Sequence, residues 1–318
     1  MDEFYDSAGA ASTLEMEARE RRKLAADNYS ATFQHLADLN LEPSVVIEGG
    51  SHRKNWRLCV PCDADGVMDE VVFGIQGILT NVGLVPLAIG KLDHKRAVRL
   101  AQRIELSGLN TATFEEALNK LESANDKLTQ HFSSQTVRKI TSTNGRFGRP
   151  IASSNRIFTL RADSPTDQGT DFEPGLDPLG TLEKLTTREV FHGPDNVVKY
   201  YRRAKDPKDG SNVYDSGFPG SFKAGDIVEM QASVVTIKAA NDTMKLTCRL
   251  HALTMLDDSF TKLRFAEFDL RQDAAAKRLA SKRIPSAAAT VRCRIGHYEE
   301  VLQHNKKARV EEEDSSMA

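Results

Sequence analysis

The chain has 318 residues, of which 40% are hydrophobic, and its mean hydropathy is −0.44. The 43 Lys and Arg are balanced by 45 Asp and Glu, so a role in nucleic-acid binding would have to come from a local patch. No run of 18 apolar residues occurs, which excludes a membrane-spanning helix, and four cysteines are too few for a disulfide framework. The acidic N-terminal sequence lacks the pattern of a secretory signal. We therefore expect a nuclear or cytoplasmic protein with no membrane contact.

The first 132 residues are predicted to form a mostly helical domain that begins with an N-terminal arm. The arm, over about residues 12–39, is rich in Glu, Arg and Ala. From Met68 onward, apolar residues recur at spacings of three and four as far as Val82, which indicates the buried stripe of a helix. Two further helices are predicted over 94–106 and 113–131. The short polar connection between them favours an antiparallel helical hairpin.

The helix predicted over 113–131 has the clearest signals in this part of the chain. Thr113 and Glu116 have the spacing of a capping box. Behind them lies an apolar stripe of four residues, Phe114, Leu118, Leu121 and Leu128. If this stripe is exposed in the monomer, the hairpin is a docking surface for a protein partner and the chain is an interaction or scaffolding component.

A linker is predicted over 133–185 because the charge changes sign within a segment rich in Pro and Gly. Residues 138–162 contain six basic residues and no acidic one, whereas 163–183 contain six acidic residues and no basic one. The prolines and glycines among the acidic residues are typical of a loop.

Strand patterns dominate 186–298, which we predict to be a small antiparallel β domain of about five strands with one short helix over 272–281. The fold class is therefore α+β. Further strands are predicted over 263–270 and 290–297. An OB-like barrel is one arrangement of such strands, and an open meander or a sandwich are others. The final residues, 299–318, are predicted to be a disordered charged tail, in which Lys306, Lys307 and Arg309 resemble a nuclear import signal.

The most detailed prediction concerns a hairpin within 222–256, where two segments alternate between apolar and polar residues with a period of two. A five-residue loop over 239–243 places Lys238 opposite Met244. That register pairs Val234 with Cys248 and Met230 with Ala252 on the apolar face. It also pairs Ser233 with Arg249 and Gln231 with His251 on a polar face that we expect to be exposed to solvent.

The basic part of the linker is the best candidate for a functional site. Arginines can neutralise phosphates and aromatic rings can stack on unpaired bases, so the mixture of Arg and Phe favours contact with single-stranded nucleic acid. A second basic patch, over 199–208, lies at the end of a strand predicted from Val197. The predicted contact residues are Arg138, Lys139, Arg146, Phe147, Arg149, Arg156, Phe158, Arg161, Tyr201, Arg202 and Arg203. The alternative is that the basic segment pairs with the acidic loop that follows it.

No motif in the sequence indicates catalysis or a bound cofactor. A nucleophile elbow, a metalloprotease motif, a Walker A loop and a dinucleotide-binding motif are all missing. Cys59 and Cys62 form a CxxC, but two further ligands with the spacing of a zinc site do not accompany it. The chain is therefore predicted to be a binding protein and not an enzyme, with no cofactor and no metal.

Three segments resemble a set of uncharacterised proteins from mushroom-forming (basidiomycete) fungi: GDIVEMQASVVTIK, MKLTCRLHALTMLDDSFTK and VRCRIGHYEE. The resemblance covers mainly 222–262 and the C-terminal segment. It implies a lineage-specific eukaryotic protein of the nucleus or cytosol, and it implies no activity and no site residues.

Overall fold

Strands are the most abundant regular element of the structure. It is a computed structural model that describes residues 3–27, 33–49, 55–61, 67–86, 97–132, 136–140, 145–173, 175–239 and 243–281. Residues Met1–Asp269 form one compact unit. The second unit is Leu270–Ala318, of which the structure describes the C-terminal part of one helix. No helix of the described ranges is long and apolar enough to cross a membrane.

The described residues contain three α-helices and fourteen strands. The helices are α1 Ser7–Asp27, α2 Ala112–His131 and α3 Ser259–Ser281. The strands are β1 Phe33–His35, β2 Val45–Gly49, β3 Asn55–Pro61, β4 Met68–Glu70, β5 Val72–Gly83, β6 Ala101–Ser107, β7 Val137–Arg138, β8 Pro150–Arg156, β9 Thr159–Leu160, β10 Val190–Phe191, β11 Lys199–Lys205, β12 Asn212–Ser216, β13 Ile227–Lys238 and β14 Met244–Asp257. Twelve of the strands form one mixed sheet, and β9 pairs with β10 separately.

Five strands of the large sheet close into a ring. Strand β5 pairs with β6, β6 with β8, β8 with β14, β14 with β13, and β13 returns to β5. The pairing of β8 with β14 is parallel and the other four are antiparallel. Side chains that point into the ring, such as Ile104, Ile151 and Cys248, belong to the main hydrophobic core. Because alternate residues of a strand point to opposite faces, the residues between them point out of the ring.

Helix α2 covers part of this core, as its apolar stripe predicts. Phe114, Leu118, Leu121 and Leu128 are all buried in the main core, so the stripe is not available as a docking surface. The predicted helix over 113–131 is confirmed, but its predicted capping box is wrong. The N-cap residue is Thr111, and the hydroxyl of Thr113 donates a hydrogen bond to the carboxylate of Glu15 at 2.9 Å.

The predicted fold, an N-terminal helical domain followed by a small β domain of about five strands, is wrong. Strands β1 to β6 lie within the first 132 residues, and three of the five ring strands precede residue 157. The apolar residues between Met68 and Val82 were expected to form a helical stripe. They form β4 and β5 instead, because β5 is buried on both faces over most of its length and a strand of that kind shows no period of two.

Two further elements differ from the prediction in type. A helix is expected over 94–106, of which the structure describes 97–106. Strand β6 begins there at Ala101, so the predicted helix is wrong. The strand expected over 263–270 lies inside α3. The strand expected over 290–297 and the charged tail fall outside the described residues. Short apolar runs of this kind satisfy both periods, so tertiary packing decides between helix and strand.

The hairpin is confirmed as strands β13 and β14, but its register is only partly as predicted. Lys238 pairs with Met244, Val234 with Cys248 and Ser233 with Arg249. Beyond Leu250 a β-bulge adds one residue to β14, so Gln231 pairs with Ala252 and Met230 with Leu253. The predicted partners of Gln231 and Met230 are therefore wrong by one residue.

The polar face of the hairpin is buried at Glu229 and Ser233 of β13, contrary to the prediction, whereas Lys245 of β14 is exposed. Glu229 is 3% exposed and Ser233 is 1% exposed. Near Glu229 the face is covered by α1, because Arg21 of that helix contacts the Glu229 carboxylate. Near Ser233 it is covered by Glu70 of β4, which accepts a hydrogen bond from the Ser233 hydroxyl. The alternation of β13 therefore marks a polar interface inside the protein.

Candidate functional site

The residues of the predicted basic segment do not form one open surface. Arg149 donates hydrogen bonds to Glu115 at 2.7 Å and Glu122 at 3.1 Å. Lys139 lies 2.5 Å from Asp126. All three acids belong to α2 and not to the acidic loop over 163–183, so the segment is partly neutralised by the helix that precedes it. The pKa of Arg149 is raised, first by its hydrogen bond to Glu115.

The aromatic residues of the segment are not arranged as a stacking platform. Phe158 is fully buried in the core. Phe147 is half-buried, with the guanidinium of Arg146 5.3 Å from the centre of its ring. Arg161 lies over the ring of Phe191 at 3.8 Å and donates a hydrogen bond to the carbonyl of Asp167.

The second predicted patch, on β11, attaches other elements to the sheet. Both terminal nitrogens of Arg203 donate to the carboxylate of Glu17 in α1 at 2.6 Å. Arg202 contacts Asp258 at 2.7 Å, and Tyr201 is half-buried. These contacts give the patch a structural role within the described part of the chain.

A different set of basic side chains lies together on the outer face of the ring. In the sheet, Arg103 of β6 is paired with Ser154 of β8, and Ser154 is paired with Arg249 of β14. Their neighbours Ile104, Ser153 and Cys248 are buried. The three paired residues therefore share the opposite face and form a row across three strands.

Further cations extend this row on the neighbouring strands. Arg138 of β7 is paired with Lys245 of β14, which precedes Arg249 by four residues and so lies on the same face. Arg156 follows Ser154 by two residues on β8 and so lies on the same face. Arg57 of β3 is paired with Val235 of β13, and Val235 is paired with Thr247, which lies between Lys245 and Arg249 on that face of β14. We call this set the basic strand face: Arg57, Arg103, Arg138, Arg156, Lys245 and Arg249.

Several of these cations are open to solvent. Arg103, Arg138, Arg156 and Lys245 are exposed. Among the described residues, Arg103, Arg138 and Lys245 have no acidic partner in an ion pair. The one acid that shares the outer face of β6 with Arg103 is Glu105, and it accepts a hydrogen bond from the Thr80 hydroxyl at 2.7 Å. The face is therefore locally basic although the chain as a whole is not.

At one end of the basic strand face the cations are held in a charged cluster. Arg57 contacts Glu70 at 3.0 Å and Asp195 at 2.5 Å, and Arg249 contacts Asp195 at 3.3 Å. Burial lowers the pKa of Arg249, and the nearby Arg57 lowers it further. Burial opposes the ionisation of Asp195, but Arg249 and then Arg57 outweigh it and hold the pKa of that carboxyl below its usual range.

A serine and a histidine meet beside this cluster without the geometry of a nucleophilic site. The hydroxyl of Ser233 lies 2.9 Å from Nε2 of His251, and Glu70 accepts a hydrogen bond from the same hydroxyl at 2.5 Å. In a hydrolase relay the acid contacts the far nitrogen of the imidazole, and the hydroxyl faces a substrate. Here Glu70 lies 3.9 Å from Nε2, and Ser233 is 1% exposed.

The described residues contain no group of His, Cys, Asp and Glu that could hold a metal ion. Cys59 is buried, which raises the pKa of its thiol, and its sequence neighbour Cys62 falls outside the described residues.

The sequence predicted two members of the basic strand face, Arg138 and Arg156, and missed the other four. The sequence pattern places Arg249 on the polar side of the hairpin without indicating a site. The helix predicted over 94–106 includes Arg103, and a helix there does not bring Arg103 next to β8. The usable signal was the alternation of Arg103 and Glu105 with Ile104 and Leu106, which is the pattern of a strand with one exposed face.

Comparison with known proteins adds little. No family model and no curated protein matches the chain. Among solved structures, the chain is similar to the single-stranded DNA binding protein gp2.5 encoded by bacteriophage T7, with 9% sequence identity and a TM-score of 0.34, over 58% of this chain and 86% of that chain. A likeness at that level carries no argument about the fold or the function of this protein.

Proposed function

We propose that the protein binds single-stranded nucleic acid, and that it does so through phosphates on the basic strand face. The observation that carries the proposal is that Arg103, Arg138 and Lys245 are exposed beside Arg249 and have no acid partner in the described part of the chain. Cations arranged in this way are available to replace the counterions of a phosphate backbone.

The dimensions of the face suit a short stretch of phosphate backbone. Lys245 and Arg249 are four residues apart on β14, which corresponds to about 13 Å, and the row from Arg103 to Arg249 crosses three strands, about 10 Å. The two backbones of a duplex are separated by a major groove about 12 Å wide. The face is about as wide as that groove, so competition between single strand and duplex decides the preference.

The chemistry of the face favours recognition of the backbone over recognition of bases. Its outward positions on β6, β8 and the first half of β14 carry Arg, Lys, Ser, Thr, Ala, Pro and Glu side chains, and none of these described positions carries an aromatic ring. Binding therefore depends on phosphate contacts, with little preference for sequence and a strong dependence on salt.

The test is fluorescence anisotropy with a labelled oligo-dT at several salt concentrations. Wild-type affinity should fall steeply as salt rises. The triple variant Arg103→Gln/Arg138→Gln/Lys245→Gln should bind at least about tenfold more weakly at low salt, and the slope of log K against log salt should fall by about 2, since each phosphate contact to a single strand contributes about 0.7. Unlabelled duplex of the same length should compete less well than unlabelled oligo-dT.

The matched control removes three cations that are already paired with acids: Lys139→Gln/Arg202→Gln/Lys262→Gln. Their partners are Asp126 for the first and Asp258 for the other two. This variant has the same net charge as the first and should retain most of the affinity. Binding that is absent at low salt, or that weakens equally in both triple variants, would overturn the proposal.

A further inference from the structure

The carboxylate of Asp195 covers two arginines of the basic strand face. It lies 2.5 Å from a terminal nitrogen of Arg57 and 3.3 Å from one of Arg249. The side chain of Asp195 is 58% exposed, whereas those of Arg57 and Arg249 are 21% and 12% exposed. The acid is therefore the outermost member of the cluster, and it lies between the two guanidinium groups and solvent.

The backbone that carries Asp195 is fixed, while its side chain has room to move. Asp195 is in a short 3-10 helix, Pro194–Asn196. Its carbonyl accepts a hydrogen bond from the Asn155 side chain at 2.9 Å, and the side chain of the next residue, Asn196, accepts one from Thr159 at 2.9 Å. Rotation of the Asp195 side chain toward solvent would leave these anchors intact.

The two arginines are not fully satisfied by the acids around them. Nε of Arg57 is buried and has no hydrogen-bond acceptor in the described part of the chain. Within the described residues, the ion pair of Arg249 is one contact of 3.3 Å to Asp195. A phosphate group carries the same charge as a carboxylate and presents more acceptor oxygens, and guanidinium groups bind phosphate with well-matched geometry.

We propose that Asp195 is an internal competitor for nucleic-acid phosphate: it occupies a phosphate subsite formed by Arg57 and Arg249 and is displaced when a strand binds. This inference rests on the proposed function and adds its regulation. The carboxylate lowers the affinity of the basic strand face and limits tight binding to ligands that can replace it at both arginines.

The test is a double-mutant cycle between Asp195 and Arg249, measured with the same labelled oligo-dT. Asp195→Asn should raise the affinity about tenfold, the size of one charge-assisted hydrogen bond to a group that is partly exposed. The salt slope should stay close to that of the wild type, because the same number of phosphates is contacted once Asp195 is displaced. Arg249→Gln should change the affinity of the wild type by less than about threefold, because the loss of a phosphate contact is offset by the loss of the contact to Asp195. In the Asp195→Asn background the same change should remove the whole gain.

The control variant is Asp215→Asn, which removes one negative charge from the exposed strand β12. It should leave the affinity within about twofold of wild type. An Asp195→Asn protein that binds no more tightly than Asp215→Asn, or whose gain survives Arg249→Gln, overturns the inference. If Asp195→Asn does not fold, Arg249→Gln in the wild-type background decides, because a loss as large as that of Arg103→Gln contradicts the masking of Arg249.

These outcomes separate the two proposals. Wild-type protein that binds oligo-dT with a steep salt dependence and does not respond to Asp195→Asn supports the proposed function and overturns the competitor. Wild-type and Asp195→Asn proteins that both fail to bind at low salt overturn both.

Discussion

Single charged residues fix the N-terminal helix to the sheet. Arg21 of α1 donates two hydrogen bonds to the carboxylate of Glu229, at 2.6 and 2.7 Å. Glu229 is 3% exposed and also accepts a hydrogen bond from Gln76, whose oxygen lies 2.9 Å from Nε2 of His35. A carboxylate this deeply buried is stable only while its cation and its hydrogen bonds are present.

We therefore expect Arg21→Ala to destabilise the protein by about 3 kcal/mol, because it leaves the Glu229 charge buried with one remaining donor. Arg19→Ala on the same helix is the matched control. Arg19 is 74% exposed and pairs with Glu15 four residues earlier, so its loss should cost about 0.5 kcal/mol or less. Urea unfolding at pH 7 measures both. Equal effects of the two substitutions would show that the buried pair does not hold α1.

At the scale of elements, the junction between β6 and α2 depends on the absence of a side chain. A Cβ on Gly108 would lie 2.2 Å from Cβ and Cγ of Phe114, and Phe114 is a buried core residue of α2. The base of that ring cannot move without moving the helix. The close approach of strand and helix at this junction therefore requires glycine.

Gly108→Ala should accordingly cost about 1–3 kcal/mol, the usual range for overpacking of a core contact. Gly145→Ala is the control, since the nearest atom to a Cβ there is the Gly148 carbonyl oxygen at 3.5 Å, an ordinary contact. The difference between the two urea midpoints, with unchanged m-values, is the measurement. A Gly108→Ala protein as stable as Gly145→Ala would mean that the junction relaxes without cost.

The elements that sequence reasoning identified correctly are those with an unambiguous period. Helix α2 has one apolar stripe, and β13 and β14 alternate strictly over most of their length. Strand β5 was mistaken for a helix because burial on both faces removes its alternation. The bulge in β14 could not be predicted, because the apolar positions fit an uninterrupted register equally well.

The candidate site was hard to predict for a related reason. Its six cations come from β3, β6, β7, β8 and β14, which are brought together by the closure of the ring and are far apart in the sequence. A run of basic residues in the sequence, such as that over 138–161, is distributed by the fold among ion pairs, contacts with aromatic rings and the open face. Arg149 and Arg156 are seven residues apart, yet the first contacts α2 and the second lies on the open face.

For the molecule as a whole, two buried histidines and one half-buried histidine contribute to the response to acid. Burial lowers the pKa of His35, His192 and His251. A hydrogen bond to Gln76 opposes the shift at His35, a hydrogen bond to the Ile157 carbonyl opposes it at His192, and the charge of Glu70 opposes it at His251. None of these contacts cancels the effect of burial. Each imidazole is therefore neutral in the folded protein at a pH where the unfolded chain, with a pKa of about 6.5, takes up a proton.

Stability should consequently be retained above about pH 6.5 and should fall as the pH is lowered through it, because the unfolded state binds more protons. The expected loss is at most about 1.4 kcal/mol per pH unit for each histidine that remains neutral when folded. Urea unfolding at pH 7.5, 6.5 and 5.5 measures the trend.

His192→Gln should reduce the slope of stability against pH by about one third. It also removes the stacking on Phe172 at 4.4 Å, which lowers the stability at pH 7.5 without changing that slope. Asp195 acts in the same direction only below about pH 4, since its pKa is lowered from the range of an ordinary carboxyl. A stability that is flat or rises between pH 7.5 and 5.5 would mean that these histidines are protonated in the folded protein.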